Sequence, residues 1–227
     1  MRSEPFGRYK VRRIDTEYGL QCSMKNRVTR FKSLKDCLGQ SEQFIRNPQL
    51  LYTGGKIERF GWMLPREIWG NWVLAAICSE GREQELSIAT DPDGGDGIIW
   101  DPDSEIGWRM EHILLPVSRP GDTRTTDQRI IDAANKKQTK GGAQYARGKT
   151  LVILNESATN ECWHPTAVAR ALPANDFAET WVIGPDSFEH ASVTYAATKL
   201  ELDTGQTPVF KVHINSLFTS WRVVQIQ

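Results

Sequence analysis

Apolar residues are spaced unevenly along this chain, and the spacing changes character at Pro65. Before it, SLKDCLGQSEQFIRN places Leu34, Cys37 or Leu38, Gln40 and Phe44 at near-helical intervals, and Asn47-Pro48 ends that run. A short RYKVRRID segment upstream reads as strand-like, and Gly54-Gly55 marks a break in the chain ahead of Pro65. From Pro65, LPREIWGNWVLAAICSEG carries proline in a first helical turn, a continuous apolar run and a glycine stop at Gly81. This predicts a helix with Trp69, Trp72, Val73 and Ile77 buried.

Three strands come next: ELSIAT, GIIW after the turn-forming DPDGGDG, and GWRMEHILLP, apolar on both faces. Thr125 or Thr126 caps a second helix, DQRIIDAANKKQ, whose Ile130, Ala134 and Lys137 share one face and which Gly141-Gly142 ends. KTLVILNE is a buried strand, HPTAVARAL a short helix, and ETWVIGP another buried strand. The last 40 or so residues are β-rich and are expected to finish the sheet or cover an edge. The fold class is therefore α/β, in the order α-β-β-β-α-β-α-β.

Charge adds an asymmetry to this picture. Lys+Arg and Asp+Glu balance at 28 each, yet residues 1–60 hold 13 bases against 6 acids, leaving 15 against 22. A basic N-terminal extension, residues 1–60, is thus expected ahead of an α/β domain over residues 61–227. A basic arm fits phosphates and an acidic remainder fits a site needing carboxylates, although two solvated surfaces would look the same. The longest apolar stretch, around Trp72 to Cys78, is far short of the roughly 20 residues a membrane span needs. MRSEPFGRYKVRR has no apolar run of the secretory kind, so the expected location is cytoplasmic and no membrane partner is expected. The four cysteines, Cys22, Cys37, Cys78 and Cys162, form no CxxC pair and read as reduced thiols.

The element order, with Asp96 opening one strand and Glu111 inside the next, resembles the PD-(D/E)XK core of the restriction-endonuclease-like nucleases. That resemblance implies a restriction-endonuclease-like αβββαβ core with a mixed central sheet, and a divalent cation, magnesium or manganese, held by Asp96 and Glu111. Hydrolysis of a phosphodiester near neutral pH needs an ion that polarises the phosphate and acidifies a bound water, and magnesium is satisfied by few carboxylates. Glu67, at the start of the first helix, is the candidate third metal ligand, and a glutamate there is equally good capping chemistry. The pattern asks for lysine two residues after the glutamate, where this chain has Ile113. The replacement amine is expected on the second helix, which offers Lys136, Lys137 and Lys140; Lys137 lies on the face toward the sheet, and Lys140 is the reserve. If these lysines are only a solvated stripe, the fold is a module that binds nucleic acid or protein without catalysis. Nucleic acid is the expected partner, with a second copy of the chain as another.

Other motifs fall away. DPDGGDG lacks the glycine and glutamate of a calcium-binding EF-hand loop, and GGAQYARGKT lacks a P-loop glycine at Ala143. Gln144 and Tyr145 are candidates for lining the cleft that receives Lys137. The histidines, His112, His164, His190 and His213, are scattered, and strand alternation turns His112 away from Glu111. Ser157 and Cys162 lack the surroundings of a covalent nucleophile.

Overall fold

The computed structural model describes residue 28 and residues 30–157, 161–189 and 192–227. RYKVRRID, Cys22 and His190 lie outside the described residues. Among the described residues, nine strands form one mixed sheet in which every strand neighbours the next in sequence. They are β1 (Lys32–Ser33), β2 (Ser87–Ala89), β3 (Ile98–Asp101), β4 (Ile106–Leu115), β5 (Lys149–Asn155), β6 (Glu179–Glu189), β7 (Ser192–Lys199), β8 (Val209–Asn215) and β9 (Trp221–Gln225). The β4–β5 and β5–β6 pairs are parallel and the rest antiparallel. Parallel neighbours need a crossover, and two helices supply it: α4 (Thr126–Ala146) and α5 (Pro165–Ala171).

Helices α1 (Leu34–Arg46), α2 (Pro48–Thr53) and α3 (Pro65–Ser79) cover the other face. Twelve of the fifteen α3 residues are buried, so it reads as apolar all round. Pro65 starts it without wasting a donor, and the Glu67 carboxylate accepts the Leu64 N–H at 2.8 Å. Trp69 stacks on Trp72 with ring centroids 4.8 Å apart, and the Trp72 indole N–H donates to the Leu34 carbonyl at 2.8 Å. Residues 32–53, which the charge pattern assigns to a separate extension, therefore share their core with α3: Leu34, Cys37, Leu38 and Ile45 are fully buried in it.

On the opposite face, Ile130 and Ala134 of α4 pack with Leu151 and Ile153 of β5. Thr125 caps α4 by accepting the Gln128 N–H at 3.2 Å. The expected stop at Gly141-Gly142 is an interruption, with Gly142 at φ 70° and ψ 176°, after which one more turn runs to Ala146. The β-rich C-terminal residues are β7, β8 and β9, which extend the sheet past β6.

Two details position the site. The β3–β4 ladder runs from Asp101↔Ile106 to Ile98↔Arg109, and the Met110–Gly97 and Asp96–Met110 hydrogen bonds carry it further. Asp96 and Gly97 thus both stand opposite Met110, a bulge that closes the ladder just before Glu111. Beyond that point β4 continues to Leu115, paired on its β5 side but, among the described residues, with no strand on its β3 side. A free stretch of edge opens there.

Candidate active site where strands β3 and β4 part

Strand alternation sorts the β4 side chains. Trp108 and Met110 enter the core beneath α3, with Leu114 packed at its margin; Leu115 enters the core beneath α4, with Ile113 packed at its margin. Glu111 therefore faces α4, and His112 faces α3, where its ring lies so near Gly70 that an added Cβ would come within 2.7 Å of Nε2.

Glu111 is 4% exposed, and one ammonium meets each of its oxygens. Lys137 of α4 pairs with Oε1, and Lys149, first residue of β5, is 3.3 Å from Oε2. Lys149 reaches this place because Arg109 pairs with it in the parallel register, one step from Glu111 on the same face. Its ammonium also sits 3.6 Å from the centre of the Tyr145 ring. Burial raises the Tyr145 hydroxyl pKa, and the nearby Glu111 carboxylate raises it further.

Asp96 arrives from the other side. Its Oδ2 accepts the His112 backbone N–H at 2.7 Å and lies 3.8 Å from the His112 ring. Burial pushes this carboxyl up, but the contacts with His112 and the Lys137 charge outweigh it and hold the pKa at about 2. The Asn71 side chain fixes the same turn by donating to the Asp96 carbonyl at 3.0 Å. Lys137 additionally lies 3.4 Å from the His112 carbonyl. One ammonium is thus met by a Glu111 oxygen, the His112 carbonyl and the field of Asp96.

Lys137 pairs with Glu111, and Asp96 acts on Lys137 through its charge while its carboxylate contacts His112. Lys140 is exposed one turn further along α4 and makes no ion pair among the described residues. Glu67 belongs to the α3 side, where its carboxylate holds the helix start; burial raises its pKa, its bond to Leu64 opposes this, and the Asp96 charge adds to the rise. Three other acids of the Asp91–Glu105 stretch are engaged elsewhere: Asp91 and Asp93 with Arg109, and Asp101 with Arg82 at 2.6 Å. Lys149 is the residue sequence reasoning missed. Its signal, a lysine directly before an apolar strand, acquires meaning only once the β4–β5 register is known.

No group of three or more His, Cys, Asp or Glu side chains among the described residues could hold a metal ion. The oxygens beside the Lys137 ammonium are a Glu111 carboxylate oxygen and the His112 carbonyl, with the Asp96 carboxylate acting on Lys137 through its charge; all three groups offer hard oxygen donors. Magnesium keeps several waters and is commonly held by one or two carboxylates plus substrate phosphate, so this donor set fits it. No helix among the described residues is long and apolar enough to cross a membrane. Comparison with protein-family models, curated proteins and solved structures yields no match.

Proposed function

We propose that this chain is a phosphodiesterase of nucleic acids, dependent on magnesium or manganese and built on a restriction-endonuclease-like core. The observation that carries the reading is the Lys137 ammonium held between a Glu111 oxygen and the His112 carbonyl, within the field of Asp96, at the parting of β3 and β4. The α-β-β-β-α-β order of α3, β2, β3, β4, α4 and β5 supports it. Asp96 and Glu111 would hold the ion, with the His112 carbonyl as a third oxygen. Bound there, it would supply Lewis-acid polarisation of the phosphate and a water of lowered pKa.

The chain's own groups account for the rest. In the hydrolysis a water oxygen bonds to phosphorus, the bond to the leaving oxygen breaks, and that oxygen takes up a proton. Lys137, on the helix flanking the site, is placed to offset the charge gathering on the phosphoryl oxygens. Lys149 is held between Glu111 and the Tyr145 ring, which keeps a second cation beside the same carboxylate.

The test is incubation with plasmid, single-stranded DNA and RNA in the presence of Mg²⁺ or Mn²⁺. Cleavage that EDTA abolishes, and that Asp96→Asn and Lys137→Met each lower by about 100-fold or more, is the expected result. Failure to cut any substrate with either ion would end this reading. A second reading has its own support: both Glu111 oxygens are already paired with ammonium groups, as in a purely structural cluster. A folded protein that binds nucleic acid but takes up no Mn²⁺ in a calorimetric titration is then a binding module.

A further inference from the structure

Beyond Asp96, the free edge of β4 borders an open recess. It forms one wall of a groove of about 620 Å³, lined by His112 to Val117 in succession, by the α4 residues Lys136, Lys137 and Lys140, and by the Arg119–Arg124 loop. Hydrogen bonding from His112 to Asp96, together with two-residue alternation, turns the backbone N–H and C=O of Leu114 toward the same side. Arg129 fastens the opposite wall by donating to the Pro116 carbonyl while paired with Glu161 at 3.0 Å. Arg124 pairs with Asp122 at 2.7 Å and reaches Asp132 at 3.4 Å, which ties the loop across the helix.

The groove has a distinct division of chemistry. Six cationic side chains line it against two acids. Three of the cations, Arg119, Lys136 and Lys140, are exposed and make no ion pair among the described residues. Between the charges the floor is apolar, with Ile113, Leu115 and Ala133 below and Val117 48% exposed at the mouth. A cationic rim over an apolar floor matches a chain that is anionic along its backbone and flat and apolar along its side groups. The volume falls within the range of about 300–1,000 Å³ that takes small molecules, room for a nucleotide or two. A duplex keeps its base faces stacked inside, leaving the apolar floor without an occupant.

We infer that this groove binds a single, unpaired nucleic-acid strand and leads it to Asp96 and Glu111, with phosphates at Arg119, Lys136 and Lys140 and bases against the Ile113–Val117 floor. The inference deepens the nuclease reading by naming its substrate as single-stranded. Lys136 and Lys140 stand one turn apart, about 6 Å along the helix axis, and so meet successive parts of one backbone.

Binding is measured in EDTA by fluorescence anisotropy, with a labelled DNA strand, an RNA strand of the same sequence and the DNA duplex, between about 50 and 200 mM salt. Either single strand should bind about tenfold or more tighter than the duplex, and the preferred sugar identifies which polymer is the substrate. Three phosphate contacts give a log–log salt slope of about −2 on a single strand. Lys136→Gln/Lys140→Gln should make that slope shallower by about 1.4. Because both lysines are exposed, the thermal midpoint should stay unchanged. Duplex binding as tight as single-strand binding, or a double variant with an unaltered slope, overturns the inference. No reaction runs in EDTA, so a protein that holds a strand without ever cutting it loses only the nuclease reading. One that cuts but prefers duplex loses only this inference.

Discussion

The two faces of the sheet are built on opposite terms. Under α3 the core is mostly apolar and aromatic, with Trp69, Trp72 and Tyr195 packed ring to ring and almost no exposure. The polar groups it buries include the amide of Asn71 and the imidazole of His112, which lies against Gly70 of the helix. Under α4 the apolar cluster is smaller, and beside it the sheet buries Glu111, flanked by the partly buried Lys137 and Lys149. Charge taken out of water is costly even when paired, and apolar residues of similar volume commonly serve stability as well or better. The α4 face therefore carries an electrostatic cost that the α3 face does not. The α3 face carries the stability that makes the arrangement tolerable.

Substitutions on the two faces should separate those roles. The largest effect belongs to Trp72→Ala, which removes a stacked, wholly buried ring and its bond to Leu34. Urea unfolding should show a loss of about 3–5 kcal/mol. Next, Glu111→Gln leaves two ammonium groups without their counter-charge and should cost about 2 kcal/mol, below the usual figure for a broken buried pair because both lysines keep some solvent. Glu111→Leu/Lys137→Met/Lys149→Leu should recover that loss or exceed it while leaving no cleavage. A triple variant less stable than Glu111→Gln would mean that the charged cluster is the stabilising element and would erase the contrast between the faces.

Acid should act on the α4 face by a definite sign. Asp96 is held at about 2, below its ordinary value, so the folded state favours the carboxylate. Its contribution is complete above about pH 4 and is lost as pH falls toward 2, on the order of 2 kcal/mol. Unfolding of Asp96→Asn followed from pH 5 to 2 should therefore lack that share of the decline. Glu67 has the opposite sign, because burial disfavours its charged form and stability falls as pH rises through its raised pKa. Glu67→Gln preserves an acceptor for the Leu64 N–H and should gain about 0.5 kcal/mol at pH 7, with the gain fading on acidification. This is the smallest effect and the one that assigns Glu67 to the helix start. A hundredfold loss of cleavage in Glu67→Gln would instead return it to the site.

From α3 to β6 the linear pattern determined the elements and their order. Helix-period runs opened by Pro65 and Thr125, and β-branched runs such as GIIW and TLVIL, are local properties. Each element was legible because its own residues satisfy it. The sides that Glu111 and Lys137 face were legible too, since strand alternation and a four-residue helical step fix them. Local pattern could not show that residues 32–53 enter the main core, because that depends on Leu34 and Leu38 meeting a helix some thirty residues away. Nor could it show Lys149, which reaches Glu111 through a parallel pairing across a 21-residue helix. The groove likewise exists only because β3 ends before β4 does, leaving an edge that α4 and the Arg119–Arg124 loop enclose. Register and strand ends are set by the packing of whole elements on one another, and that is why the tertiary structure alone decided where the charges meet.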